Sequence, residues 1–184
     1  MAVPHAEIKL VDERGKEVAY GEIGELIVKG PMIMKRYHNN PETTCERIRD
    51  GWLHTGDLCK KDQDGFYYYL GRKDDMIIVG GLNVFPFEIE DILTTHPQVL
   101  EAGAVGVPDR ERGEVIKAAV VLKPGSALNE KDLMMYCRSK LASCKVPKVI
   151  EFRDSIPKTT TGKIDRRLLA ATAPKSFHTV LSTF

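Results

Sequence analysis

Near the C-terminal end of the chain, Thr159-Thr160-Thr161-Gly162-Lys163 places hydroxyls, a glycine and a cation within one loop. Such a loop can offer backbone amides and an ammonium to a phosphate. It is not a P-loop, which needs a glycine five residues before its Gly-Lys pair and a Ser or Thr after it; Pro157 and Ile164 occupy those places. The plainer reading is a solvated basic loop capping the last helix. Asp57 follows Thr55-Gly56 at a tight turn, where a carboxylate can accept from ribose hydroxyls or satisfy the turn's own amides. Arg72 can bind a phosphate, or form a surface ion pair within its run with Lys73, Asp74 and Asp75. His54 reads as a structural histidine, and Tyr67-Tyr68-Tyr69 as strand packing rather than a base-stacking platform. Spacing alone gives hints of nucleotide contact without a complete active site.

The elements that must hold these residues change character at Gly71–Gly81. Before that stretch the chain reads as strands and turns. Residues 7–12 and 25–30 form a plausible hairpin, closed by the breaker Gly30-Pro31. Asn40 caps a short helix with Pro41 at its first position. Residues 50–57 are a turn followed by a short extended run, and the turn at 62–65 leads into Phe66–Leu70. After Gly71–Gly81, strands alternate with helices. Residues 76–79 and 82–85 pair across Gly80-Gly81. Pro86 opens a helix with Ile89, Ile92 and Leu93 on one face and Glu88, Glu90 and Asp91 on the other. Residues 99–107 and 115–122 are strands, Asn129 caps a helix ending near Pro147, and residues 149–152 form a last strand. A polar loop then enters a short helix to about Ala171, and residues 177–184 read as a loose tail.

Composition bounds the rest. The 184 residues suffice for one domain or two small ones. A content of 42% hydrophobic and 29% charged residues is ordinary for a globular chain. A net charge of +1 leaves no bulk field for nucleic acid or anionic lipid, and the basic cluster Lys158, Lys163, Arg166 and Arg167 is small. No apolar run reaches the ~20 residues of a transmembrane helix. Cys45, Cys59, Cys137 and Cys144 show no zinc spacing, so reduced, mostly structural thiols in a cytoplasmic protein are expected, with no metal site.

Taken together, the segments resemble the C-terminal part of the adenylate-forming enzymes: acyl-CoA synthetases, luciferases and peptide-synthetase adenylation domains. Seven ordered matches carry the resemblance over about residues 2–172. They are Gly21-Glu22-Ile23-Gly24-Glu25-Leu26; Tyr37 with Pro41-Glu42-Thr43-Thr44; Gly51-Trp52-Leu53-His54-Thr55-Gly56-Asp57; Gly71-Arg72-Lys73-Asp74-Asp75; Gly80-Gly81-Leu82-Asn83-Val84-Phe85-Pro86; Glu88-Ile89-Glu90; and Pro157-Lys158-Thr159-Thr160-Thr161-Gly162-Lys163-Ile164. The wording from Met76 to Pro86 looks most like medium- or long-chain fatty acyl-CoA ligases.

The resemblance implies an α+β fold. Residues 1–72 would be a β-rich closing subdomain, part of a distorted β-barrel belonging to a large AMP-binding domain. Residues 73–74 would be a hinge, 75–172 a small mobile α+β domain, and 173–184 a tail. It implies an acid–thiol ligase making acyl-CoA from fatty acid, ATP and CoA through an acyl-adenylate, with Mg²⁺ in the complete enzyme. Asp57 would bind the ribose hydroxyls of ATP or AMP, Arg72 ribose and phosphate, and Lys163 the α-phosphate and carboxylate. Asp74 would be the hinge residue, and Gly80 and Gly81 would line the path of CoA's pantetheine. The family's phosphate loop, acyl pocket and Mg²⁺-positioning acid belong to an N-terminal large domain absent from these residues. This polypeptide alone is therefore expected to bind no cofactor tightly and to be inactive, with dimerisation through exposed strand edges as a consequence. The alternatives are a stand-alone, non-catalytic partner-binding or regulatory module, and an aryl- or aminoacyl-adenylating enzyme.

Overall fold

The computed structural model describes residues 5–171, so the expected tail at 173–184 lies outside the described residues. The chain divides into two compact units, one ending at Asp74 and the other beginning at Asp75.

Among the described residues the first unit is a five-stranded sheet with one short α-helix. Strands β1 (Glu7–Val11), β2 (Ile23–Lys29), β3 (Ile48–Arg49), β4 (Trp52–Lys61) and β5 (Tyr67–Arg72) are all antiparallel, and helix α1 (Pro41–Arg47) precedes β3. The expected hairpin of β1 and β2 is present, paired from Glu7 with Lys29 to Val11 with Glu25. Helix α1 starts where its cap signals place it: Asn40 accepts from the Thr43 amide at 3.0 Å, with Pro41 next. β4 is the organising strand. It pairs with β2 along one edge, and on the other with β3 near its start and β5 near its end. Its ten residues exceed the short run expected, because pairing on both edges extends it beyond what the local sequence signals. Register shifts on both edges mark bulges around Thr55–Leu58.

The second unit is a five-stranded sheet with helices on both faces. Its strands are β6 (Ile77–Val79), β7 (Leu82–Val84), β8 (Val99–Asp109), β9 (Gly113–Leu122) and β10 (Val149–Phe152); its helices are α2 (Pro86–Thr94), α3 (Glu130–Lys140) and α4 (Arg166–Ala171). β9 is central, antiparallel to β8 and β6 and parallel to β10. Its near-continuous apolar run suits a strand covered on both sides. Even-numbered Ala102, Ala104, Ile116, Ala118 and Val120 join the core shared with Ile89 and Leu93 of α2 and Leu133 and Cys137 of α3. Odd-numbered Val105, Val107, Val115 and Ala119 pack with Leu169 of α4. Helix α3 ends at Lys140 rather than near Pro147, since Leu141 is extended and a short 3₁₀ turn follows. The chain is thus α+β with a β-rich first unit, as its sequence implies.

Candidate functional site

In the first unit, Asp57 and Arg72 are brought together. They are register partners across β4 and β5, with Arg72 Nη1 3.3 Å from Asp57 Oδ1. Arg72 Nη2 also donates to the Thr55 carbonyl at 3.3 Å. Arg72 therefore pairs across the sheet, not with the charges beside it in sequence. The Thr55-Gly56-Asp57 segment owes its shape to three further contacts. Thr55 Oγ1 donates to the Leu26 carbonyl at 2.7 Å and accepts from the Asp57 amide at 3.0 Å, and the Gly56 amide donates to Glu25 Oε1 at 3.1 Å. Gly56 sits at φ +75°, and a Cβ there would lie 2.7 Å from Arg47 Nη1 and 3.1 Å from Arg72 Nη2. A side chain at this position would strain the backbone and crowd both guanidinium groups.

Glu25 and Arg47 complete this surface, and neither is evident from sequence spacing. Glu25 is largely buried, with His54 Nδ1 at 3.6 Å and Lys73 Nζ at 3.9 Å. His54 thus has a carboxylate neighbour that its sequence surroundings do not reveal. Arg47 Nη2 lies 3.3 Å from Asp74 Oδ2. The signal that could have found Glu25 is an acid placed inside an otherwise apolar strand, Glu-Leu-Ile-Val. The tyrosines of β5 depart from their expected packing role: all are more than a third exposed, with no described element of the first unit covering either face of the strand there. Lys61 and Lys60 lie over the rings of Tyr67 and Tyr68 at 5.2 Å and 5.5 Å, as cations over aromatic faces.

In the second unit, Lys163 sits on a tight turn. Thr159 N donates to the Lys163 carbonyl at 2.7 Å, Gly162 N to the Thr159 carbonyl at 2.9 Å, and Lys158 bridges Ile164 across the turn. The Lys163 side chain is exposed and makes no ion pair or hydrogen bond among the described residues, whereas Lys158 pairs with Glu101 at 2.9 Å. The turn does not cap α4, because Asp165 does: its Oδ1 accepts from the Leu168 amide at 3.0 Å. Gly80 and Gly81, between β6 and β7, have φ of +57° and +82° with open space where a Cβ would stand. The turn conformation requires glycine there, and the surface beside it stays clear. That surface is a depression of about 370 Å³ with Arg112, Ser143, Cys144 and Lys148 on its walls.

Glu90 departs from the polar outer face expected of it. Its Oε1 accepts from the Ala104 amide at 2.8 Å, and both its oxygens receive the guanidinium of Arg166, at 2.5 Å and 3.1 Å. Burial alone would lower the Arg166 pKa. The Glu90 carboxylate, and then Asp75, outweigh it and hold the group above its ordinary value.

Among the described residues no group of three His, Cys, Asp or Glu side chains is arranged to hold a metal ion. No helix among them is long and apolar enough to cross a membrane.

Residues 88–163 match the family described as the AMP-binding enzyme C-terminal domain. Over 169 residues, 92% of this chain, the sequence is 50% identical to a long-chain-fatty-acid–CoA ligase of Escherichia coli O6:H1, of which it covers 30%. The fold is similar to ATP-bound MatB from Rhodopseudomonas palustris, with TM-score 0.87 and 39% identity over 93% of this chain and 34% of that one. It is likewise similar to the o-succinylbenzoate CoA synthetase of Bacillus subtilis in complex with an acyl-adenylate intermediate, with TM-score 0.86 and 38% identity over 91% of this chain and 34% of that one. The chain thus spans about a third or less of the length of the proteins it resembles. It is similar to the C-terminal part of the AMP-binding enzymes, matching their C-terminal domain over residues 88–163 and sharing half its aligned residues with a long-chain-fatty-acid–CoA ligase.

Proposed function

We propose that this chain supplies the C-terminal share of a fatty acyl-CoA synthetase, an acid–thiol ligase. In the reaction a carboxylate oxygen attacks the α-phosphorus of ATP and pyrophosphate leaves. The CoA thiolate then attacks the acyl carbon of the adenylate and AMP leaves. The observation that carries the reading is Lys163, whose ammonium has no partner among the described residues and is held at a closed turn, whereas Lys158 at the start of that turn is paired with Glu101. An ammonium so placed is available to an anion, and it stabilises charge developing on the α-phosphate and attacking carboxylate.

Asp57 accepts from the ribose hydroxyls, and Arg72, already oriented by Asp57 and the Thr55 carbonyl, meets ribose and phosphate. Asp74 is the residue about which the second unit turns between the two half-reactions, and Gly80-Gly81 then lines the pantetheine path. Mg²⁺ would accompany ATP in the complete enzyme and offset the charge of its phosphates. The likeness to an ATP-bound protein and to one holding an acyl-adenylate supports this chemistry, and the half-identity to a long-chain ligase supports a fatty acid as the acid.

ATP–pyrophosphate exchange tests the reading. The complete synthetase carrying this sequence should exchange with medium- or long-chain fatty acids and slow sharply in Lys163→Ala, while thiolation of preformed acyl-adenylate is spared. Exchange with aryl or amino acids alone would replace the substrate assignment. This 184-residue chain by itself should show no turnover, because most of the surface that binds adenylate is elsewhere.

A further inference from the structure

Arg166 lies three residues beyond Lys163 and donates to three separate parts of the second unit. Its Nη1 and Nη2 grip the two oxygens of Glu90 on α2, Nη1 also reaches the Ala104 carbonyl on β8 at 3.1 Å, and Nε reaches Asp75 Oδ2 at 3.3 Å. Glu90 in turn binds the Ala104 amide, so α2, β8 and α4 meet at one ring of polar contacts. The side chains of Arg166 and Glu90 are only 21% and 15% exposed. Neither charge is therefore well served by water once its partner is lost. A planar fork meeting a carboxylate with both nitrogens fixes orientation as well as distance.

Helix α4 has six residues, too few to persist without tertiary support. Arg166 anchors its first residue. Leu169, fully buried, anchors its far side against Gly103, where a Cβ would stand 3.1 Å from Leu169 Cδ2. The Lys163 turn is joined to α4 by Ile164 and Asp165 alone, and Ile164 packs on the same cluster as Leu169. We propose that Arg166 is the positioning residue for Lys163: by locking α4 to Glu90, Ala104 and Asp75, it sets where the lysine turn stands relative to the first residue after the joint. The inference rests on the assignment of Lys163 to adenylation. It adds that the lysine's placement is referenced through one guanidinium to Asp75, immediately after the residue proposed to turn.

The test has two arms. In this chain, hydrogen exchange of the Thr159 and Gly162 amides is compared among wild type, Arg166→Ala, Arg166→Lys and Glu90→Gln. Loss of the fork should speed exchange at the turn by about tenfold, as for a local opening, while amides of β9 keep their protection. Arg166→Lys and Glu90→Gln keep size and decide the matter should Arg166→Ala fail to fold. In the complete synthetase, Arg166→Lys should slow adenylation by about 10²-fold, the scale of a reacting group displaced by about 1 Å. Thiolation of preformed acyl-adenylate should be unchanged. Unaltered exchange at the turn, or equal loss in both half-reactions, overturns the proposal, the latter marking a merely structural role. Lys163→Ala is the separate control. Normal adenylation in that variant sinks the assignment of Lys163, whereas slowed adenylation there with a normal Arg166→Lys enzyme sinks only the positioning role.

Discussion

Asp74 and Asp75 are adjacent in sequence, yet their carboxylates belong to different halves of the chain. Asp74 Oδ2 lies 3.3 Å from Arg47 in the first unit, and Asp75 Oδ2 lies 3.3 Å from Arg166 in the second. The two residues before them follow the first pattern, Arg72 pairing with Asp57 and Lys73 with Glu25. A run of four charges thus holds no pair within itself. Three of its members bind backward and one forward, so the boundary between compact units falls at the peptide bond where the partners change.

The Arg47–Asp74 pair tethers the last residue of the first unit, but the Asp74 side chain is 65% exposed. So exposed a pair contributes under about 1 kcal/mol. Arg47→Ala should therefore leave the urea midpoint nearly unchanged. It should speed tryptic cleavage after Arg72 and Lys73 several-fold, because local opening at the joint governs access to the protease. Cleavage at the wild-type rate would show that the pair does not restrain the joint.

Gly56 couples the turn conformation to the same tether. Its φ is +75°, and an added Cβ would stand 2.7 Å from the Arg47 guanidinium. A residue with a Cβ held in that left-handed region costs about 1–2 kcal/mol. The guanidinium can move, so the expected result of Gly56→Ala is a moderate loss of stability with displacement of Arg47 from Asp74. Urea unfolding followed by Trp52, the only tryptophan, reads the first effect, and faster tryptic cleavage at Arg72 and Lys73 reads the second. An unchanged midpoint would mean that residue 56 does not need its left-handed conformation.

Local signals carried much of the fold. Asn40-Pro41, Gly80-Gly81 and Asn129 fixed a helix start, a turn and another helix start, since each needs only its own neighbours to act. The candidate residues Asp57, Arg72 and Lys163 are named by their types and spacing, but the groups that support each of them within its own unit are not visible in the sequence. Glu25 and Arg47 meet Gly56 from 31 and 9 positions away, and Arg166 meets Glu90 from 76, distances over which one sequence carries no pairing information. Glu90 escapes its helical pattern for a related reason: periodicity places it among polar neighbours, but an arginine across the unit supplies a charge-matched place for it indoors.

Two of the four thiols are shielded by the cores of the two units. Burial pushes the Cys59 thiol, with Asp57 adding to the effect, and the Cys137 thiol each up to about 11. At pH 8 both should resist iodoacetamide in the native chain, while the exposed Cys45 is modified, a difference that peptide mass spectrometry resolves. The linkage has a definite sign. Between about pH 9 and 11 the native state keeps protons that the unfolded chain releases, so stability falls as pH rises. The slope is on the order of 1 kcal/mol per pH unit for each thiol. Urea midpoints that stay flat over this range, or rapid alkylation of Cys137, would contradict it.

Lys117 offers the sharpest stability test, because an apolar alternative exists for it. It lies on the α4-facing side of β9, with no exposed surface, and its ammonium is in ion-pair contact with Glu151 of the parallel neighbour β10. Arg153 Nε holds the other oxygen of Glu151 at 2.9 Å. Burial would raise the Glu151 pKa, but Lys117 and then Arg153 outweigh it and hold the carboxyl below its usual value. The stabilisation from Glu151 is accordingly present above the ordinary carboxylate pKa and is lost as pH falls through the depressed one. Glu151→Gln leaves a buried ammonium without its counter-charge and should cost about 3–5 kcal/mol, whereas Lys117→Met fills the same volume without a charge and should be neutral or stabilising. Combining Lys117→Met with Glu151→Gln should recover most of the loss, since the glutamine then faces no buried charge. Thermal melts of the three variants between pH 4 and 8 separate these outcomes. A harmless Glu151→Gln, or a Lys117→Met as damaging as the glutamine variant, would show that the ammonium is satisfied by something other than Glu151.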